Sequence, residues 1–79
     1  MDYEQIVCQR LKMLREMRDL RQIDMAEILK VSKSTYSQYE AGKRKITINT
    51  LCKIADEFDI TLDWFVGRDI EVTKKIKNS

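Results

Sequence analysis

The stretch from Gln22 to Glu40, QIDMAEILKVSKSTYSQYE, most constrains what this chain can fold into. In its first half, Met25, Ile28 and Leu29 recur at the spacing of one helical face, which predicts a short helix with these three side chains turned inward. Small Ala26 beside them lets a second helix cross closely. A turn and a second helix are therefore expected next.

The second half of this stretch carries a start signal and a stop signal for another helix. Ser32 can accept a hydrogen bond from an otherwise unpaired amide one turn on, so we expect it to be the N-cap. Gly42 readily takes the left-handed conformation that ends a helix. The second helix is therefore predicted from Lys33 to about Ala41, with Tyr36 and Tyr39 pointing inward.

The outer face of this second helix is polar, short-chained and almost free of acidic residues. It consists of Lys33, Ser34, Ser37 and Gln38. Such a face suits insertion into the major groove of DNA, where base edges offer hydrogen-bond donors and acceptors. The two helices and their turn form a helix-turn-helix pattern.

With these residues the chain resembles the lambda-repressor-like DNA-binding domains of the Cro/XRE type. The matching pieces span roughly residues 6 to 67, and their joint order and spacing carry the resemblance: Leu20-Arg21-Gln22, Met25-Ala26, Val31-Ser32-Lys33-Ser34-Thr35, Ser37-Gln38-Tyr39-Glu40, Gly42-Lys43, Leu51, Ile54-Ala55 and Leu62-Asp63-Trp64-Phe65. The resemblance implies an all-α, compact five-helix bundle, with residues 1–67 as the DNA-binding domain and 68–79 as a C-terminal tail, either a dimer arm or a disordered segment.

The resemblance also implies roles for individual residues. Lys33, Ser34 and Gln38 occupy the base-reading positions, and Ser37 lies one helix position aside, within reach of a base or a sugar. Gln22 matches a phosphate-binding glutamine that often also braces the first residue of the recognition helix. The further phosphate-binding candidates follow from their positions: Arg21, Thr35, Lys43, Arg44 and Lys45. The last three form a basic loop directly after the recognition helix, for which a phosphate clamp is favoured over an ordinary solvated surface.

Arg15 and Glu40 match a family pair that ties the first helix to the third. Two independent surface charges are the alternative. Two positions depart from the family pattern: Arg21 stands where Thr or Ser usually caps the second helix, and Lys30 stands where Gly is common. A Lys in a left-handed turn would cost about 1 kcal/mol.

The remaining helices follow from apolar spacing. The first is predicted from Tyr3 to Arg18, the fourth from Ile48 to about Phe58, and the fifth from Leu62 to about Val66. The inward side chains are predicted to be Ile6, Leu11 and Leu14 in the first, Leu51, Ile54, Ala55 and Phe58 in the fourth, and Leu62 and Phe65 in the fifth.

Four helix starts share the spacing of a hydrophobic staple, with an apolar residue before the cap and another five positions later. The pairs are Leu20 with Met25, Val31 with Tyr36, Ile46 with Leu51, and Ile60 with Phe65. Three of the four intervening caps, Ser32, Thr47 and Thr61, can accept the capping hydrogen bond, whereas Arg21 has no acceptor and cannot cap.

The amino-acid composition favours a single all-α domain, and the distribution of charge along the chain favours an anionic partner. A chain of 79 residues makes one domain at most, and the absence of Pro with only two Gly favours helices over sheet turns. Residues 20–53 carry seven basic and three acidic residues, so the positive charge is concentrated on and after the helix-turn-helix. We expect a cytoplasmic protein without a membrane segment, because no apolar run approaches spanning length and the N-terminus lacks signal-peptide features.

The composition gives no sign of catalysis. There is no His, and Cys8 and Cys52 are the only cysteines, read as small side chains at the edge of the core in a reducing compartment. We therefore predict no enzyme activity, no cofactor, no metal site and no small-molecule ligand.

The favoured function is a sequence-specific regulator of transcription that binds double-stranded DNA, most often a repressor at an inverted-repeat operator. A protein-interaction module on the same fold, antitoxin-like or adaptor, is the alternative. A weak homodimer is expected through the last helix, where Trp64 and Val66 offer extra apolar area, with Ile70, Val72 and Ile76 of the tail extending it. The alternative is that Trp64 packs against the first helix.

Overall fold

The computed structural model describes residues 2–68, and within this range the chain forms five α-helices and no strand. The helices are α1 (Tyr3–Met17), α2 (Gln22–Leu29), α3 (Lys33–Ala41), α4 (Ile48–Phe58) and α5 (Leu62–Phe65). The predicted all-α class and five helices are confirmed; only α1 and α5 end one residue earlier than expected. None of the described helices is long and apolar enough to cross a membrane. The tail residues Ile70, Val72 and Ile76 lie outside the described range.

Hydroxyl caps start three of the helices, as predicted. The side-chain oxygens of Ser32, Thr47 and Thr61 each accept a hydrogen bond from the amide three residues on, at 3.0, 3.2 and 3.1 Å. Each bond satisfies an amide that the helix itself leaves unpaired. These caps fix where α3, α4 and α5 begin.

The start of α2 is built differently, because an Arg side chain has only donors. The Asp24 carboxylate reaches back and accepts from the Arg21 backbone amide at 2.8 Å. Asp24 also accepts from the Arg21 guanidinium at 3.0 and 3.1 Å. Asp24 therefore supplies half of a capping box, a role not predicted from the sequence.

The core lies where all five helices meet. Its fully or nearly buried members are Val7, Leu11, Leu14, Met25, Ala26, Leu29, Tyr36, Tyr39, Leu51, Ile54, Ala55, Phe58 and Phe65. The four staple residues Leu20, Val31, Ile46 and Ile60 are partly buried against it, and their partners are inside. The inward faces predicted for α3 and α4 are confirmed.

Two residues that were predicted to point into the core are exposed instead. Ile28 is 36% exposed and Leu62 is 37% exposed. In α2 the buried stripe runs through Met25, Ala26 and Leu29, which leaves Ile28 about 100° around the helix from Leu29. Leu62 is the first residue of a four-residue helix, and Phe65 fills the core instead.

The first helix also differs in detail. Val7 is buried and Ile6 only half-buried, so the inward face is rotated slightly from the predicted one. Ile6 instead contacts the turn after α5, where its Cγ2 lies 3.4 Å from the position that a Cβ on Gly67 would take.

Trp64 packs against α1. The Arg10 guanidinium lies 4.9 Å from the centre of the Trp64 ring, within the range of a cation–π interaction. Trp64 also meets Phe65 edge to face, with ring centres 5.3 Å apart. Of the two expectations for Trp64, the structure has the one in which it covers the first helix, so less apolar area at α5 is left over for a partner.

Candidate nucleic-acid interface

The outer face of α3 forms a shallow groove on the surface. Tyr36 and Tyr39 are buried on the other side of this helix. Their burial turns the intervening residues outward, since helix neighbours lie about 100° apart. The groove contains all four predicted base-reading residues and two neighbours: Lys33, Ser34, Ser37, Gln38, Ala41 and Lys43.

The chain reverses at Gly42 and returns over the end of α3. Gly42 has a φ of 74°, the left-handed conformation predicted for it. The Gly42 amide donates to the Tyr39 carbonyl at 3.3 Å and the Lys43 amide to the Gln38 carbonyl at 2.9 Å. This is the bonding pattern of a Schellman motif, and it fixes the basic loop against the last turn of α3.

Arg44 is bonded to Gln38 twice, which the sequence analysis did not foresee. Its backbone amide donates to the Gln38 carbonyl at 3.3 Å. Its Nε donates to the Gln38 side-chain oxygen at 2.9 Å. A phosphate-binding candidate and a base-reading candidate are therefore one unit. The signal that could have revealed it is the glycine four positions after Gln38, which brings residues five and six positions on back to it.

The basic loop itself is exposed at all three positions, Lys43, Arg44 and Lys45. Lys45 Nζ lies 3.6 Å from an oxygen of Glu4, and both side chains are more than half exposed. Such a surface pair contributes little to stability and is readily exchanged for another anion. Lys45 is therefore accessible to another anion, whereas Arg44 is engaged by Gln38.

The predicted pair between α1 and α3 is formed. Arg15 Nε and Nη2 donate to the two oxygens of Glu40 at 2.7 and 3.2 Å, and Arg15 Nη1 donates to the Leu20 carbonyl at 3.0 Å. The two charged side chains are only 15% and 6% exposed. The pair thus fixes α1, the first connection and the end of α3 together.

Gln22 joins this network at an unexpected place. Its side-chain nitrogen donates to Glu40 at 3.2 Å, so it braces the last turn of α3 rather than the first residue of that helix. The start of α2, with Arg21, therefore lies beside the end of α3, where the basic loop begins. Thr35, the remaining phosphate candidate, bonds to the Ser32 hydroxyl at 2.9 Å in the first turn of α3.

The pKa values follow this bonding. Burial raises the pKa of Glu40, but the Arg15, Tyr36 and Gln22 side chains that face its carboxylate outweigh this effect and hold the pKa below its usual range. The bond to Glu40 likewise raises the pKa of Arg15. Tyr36 lies buried beside them without a well-formed hydrogen bond to its hydroxyl, and burial raises its pKa. The pair stays charged at neutral pH and Tyr36 stays neutral.

No group of three or more His, Cys, Asp or Glu side chains within residues 2–68 is placed to hold a metal ion. Cys8 and Cys52 are half-buried, and burial raises the pKa of Cys8, which lowers its thiolate fraction.

Several known proteins are similar to this chain in sequence. A family model described as Helix-turn-helix matches residues 11–65. The chain is 38% identical over 60 residues to the HTH-type transcriptional regulator AnsR of Bacillus subtilis, covering 76% of this chain and 52% of that protein. It is 35% identical over 60 residues to the cryptic phage CTXphi transcriptional repressor RstR of Vibrio cholerae, covering 76% and 54%. The chain thus spans about half the length of these relatives.

A solved structure shows the same fold. The crystal structure of a transcriptional regulator from Listeria innocua matches with a TM-score of 0.72 at 24% identity, covering 91% of this chain and 73% of that one.

Proposed function

The chain belongs to the lambda-repressor-like helix-turn-helix family, and from that premise we propose that it is a sequence-specific, double-stranded DNA-binding regulator of transcription. The proposed mode of action is repression, in which the bound protein covers an operator and blocks polymerase. The observation that carries the proposal is the outer face of α3, where Lys33, Ser34, Ser37 and Gln38 lie in one groove that continues into the basic loop.

The proposed contacts divide into two kinds. The four groove residues meet base edges in the major groove, where Gln38 can pair with adenine and Lys33 can reach guanine acceptors. Phosphate contacts set register and supply most of the affinity. The residues proposed for them are Arg21, Gln22, Thr35, Lys43, Arg44 and Lys45. Neither kind of contact is a reaction, so the proposal assigns no catalytic step.

The proposed assembly is a homodimer that is weak in solution and completed on DNA. One α3 reads only a few base pairs, which is too little to select a site among millions of competitors. Two copies related by a two-fold axis read an inverted repeat. The exposed Leu62 of α5 and the partly buried Val66 that follows this helix are the residues available for the contact. Because the relatives are bacterial, the proposed location is the cytoplasm, where such DNA lies.

A salt titration of binding to mixed-sequence duplex DNA tests the proposal against the alternative of a protein-interaction module. Replacing Lys43, Arg44 and Lys45 by Ala should weaken binding to all sequences and reduce the salt slope by roughly 0.9 log unit per lost phosphate contact. Lys53→Ala is the control, because Lys53 lies in a separate groove between α2 and α4. An unchanged slope in the triple variant, or no binding by the natural chain, would contradict the proposal.

A further inference from the structure

We infer that Arg44 is a positioning residue for sequence reading: it orients the Gln38 side-chain amide so that its N–H groups face the base. This inference rests on the proposed function and adds a role to a residue otherwise assigned only to the phosphate backbone. It starts from the bond between Arg44 Nε and the Gln38 side-chain oxygen, 2.9 Å long.

The guanidinium of Arg44 determines whether the oxygen or the nitrogen of the Gln38 side-chain amide faces it. Arg has five N–H donors and no acceptor, so the amide atom that meets Arg44 is the oxygen of Gln38. The amide nitrogen, with both its hydrogens, then points away from Arg44. An unrestrained Gln can rotate its amide by half a turn and offer either end.

The backbone makes this arrangement firm. The reversal at Gly42 ties the amides of Lys43 and Arg44 to the Gln38 carbonyl at 2.9 and 3.3 Å. Arg44 is therefore fixed to Gln38 at its backbone and at its side chain. Gln38 is half-buried and Arg44 is exposed, so the side-chain bond between them lies at the protein surface.

The consequence is a preference for base edges that accept hydrogen bonds. Adenine N7, guanine N7 and O6, and thymine O4 accept, whereas cytosine presents only a donor in the major groove. The second lone pair of the Gln38 oxygen stays available for the adenine amino group, so bidentate pairing with adenine is retained. Cytosine at the same place would bring a donor against the fixed N–H groups.

The test compares variants on duplexes that differ only at the base pair read by Gln38, which is the pair whose preference disappears in Gln38→Ala. Arg44→Ala should lower the discrimination between adenine and cytosine there by about fivefold or more, the lower end of what one bidentate contact gives. In the Gln38→Ala background, Arg44→Ala should leave the preference unchanged.

Lys43→Ala is the matched control. It removes the neighbouring positive charge, while its only hydrogen bond to Gln38 comes from the backbone and is kept. It should weaken binding equally on every duplex. If Arg44→Ala behaves like Lys43→Ala, Arg44 is a phosphate contact only and the inference is overturned.

A second measurement works on the free protein. The side-chain amide of Gln38, followed by NMR relaxation, should be restrained in the natural chain and in Lys43→Ala, and mobile in Arg44→Ala. An amide equally mobile in all three would overturn the inference even where DNA binding holds. Absence of any sequence preference would overturn the proposed function and the reading role together, while the NMR result still reports on the contact itself.

Discussion

At the scale of single residues, the most consequential interaction is the ion pair between Arg15 and Glu40. Both oxygens of Glu40 and three nitrogens of Arg15 are used, in a setting that is largely closed to water. A half-satisfied pair of this kind is costly, because the remaining charge has left water without a partner. The pair is therefore satisfied only when α3 packs against α1 in the observed position.

Removing one partner should cost more than removing both. Arg15→Met or Glu40→Gln is expected to lower the free energy of unfolding by about 2–3 kcal/mol, somewhat below the range for fully buried pairs. The double variant should lose less than the sum of the two. Urea unfolding of all four proteins measures the coupling, and strict additivity would show that the pair is not energetically linked.

The lowered pKa of Glu40 predicts the direction in which the stability of the fold changes with pH. The folded-state pKa of Glu40 is held below the ordinary 4.5. The stabilisation is therefore fully present above that pH and is lost as the pH falls through the folded-state pKa. Acid should destabilise the natural chain more steeply than Glu40→Gln over this range.

The Tyr36 hydroxyl, unlike the Arg15–Glu40 pair, contributes little to the stability of the fold. Its hydroxyl is buried beside the Glu40 carboxylate, but the contact does not form a well-aligned hydrogen bond, so burying the hydroxyl costs free energy. Tyr36→Phe keeps the ring and removes the oxygen, so stability should stay the same or rise by up to about 1 kcal/mol. Tyr3→Phe, at an exposed position, is the control. A clear loss of stability in Tyr36→Phe alone would mean that the hydroxyl is bonded after all.

At the scale of elements, the turn between α2 and α3 has a Lys at a position whose backbone conformation glycine adopts without strain. Lys30 has a φ of 59° and a ψ of 42°, in the left-handed region. Such a conformation costs a non-glycine residue roughly 1 kcal/mol or more. The bonds from Lys30 and Val31 to the end of α2 keep it in place.

Lys30→Gly should therefore raise the melting temperature. The gain is about 0.5–1 kcal/mol, because relief of the strained backbone exceeds the added entropy of the unfolded chain. Gly42→Ala is the reciprocal variant: a Cβ there would meet only Cys8 Sγ at an ordinary 3.5 Å, so its expected loss comes from the backbone. A lower melting temperature for Lys30→Gly would contradict the strain.

The sequence predicts elements best where a local signal fixes them. The starts of α3, α4 and α5 were predictable because Ser32, Thr47 and Thr61 carry their own cap chemistry. The inward faces of α2 and α5 were harder: a helix of two turns or fewer leaves its rotation open by one residue, and so Ile28 and Leu62 were misplaced.

The candidate site was predictable in part. The face of α3 follows from helical spacing, and the Arg15–Glu40 pair follows from the family pattern. The bonds from Arg44 to Gln38 and from Gln22 to Glu40 depend on how the chain reverses at Gly42 and how α2 meets α3. The meeting of α2 and α3 is a tertiary feature that no local pattern states. Gly42 signals the reversal of the backbone, but it does not say that the Arg44 side chain folds back onto Gln38.

At the scale of the whole molecule, the charge is sorted along the chain. Residues 20–53 hold seven basic against three acidic residues, and in the structure this segment contains α2, α3, the basic loop and the first half of α4. Charge concentrated on one region attracts a polyanion even when the net charge of the chain is only +2. The proposed dimer contact at α5 lies outside this basic segment, so the proposed DNA-binding surface and the dimer contact use different elements.

The central claim is that this surface reads a specific duplex sequence, and selection from random duplex DNA followed by sequencing tests it most directly. The expected result is an inverted repeat with half-site centres about one helical turn apart, about 34–36 Å, whose preference at one base pair per half-site disappears in Gln38→Ala. A recovered pool with no sequence enriched over the starting pool would contradict the claim.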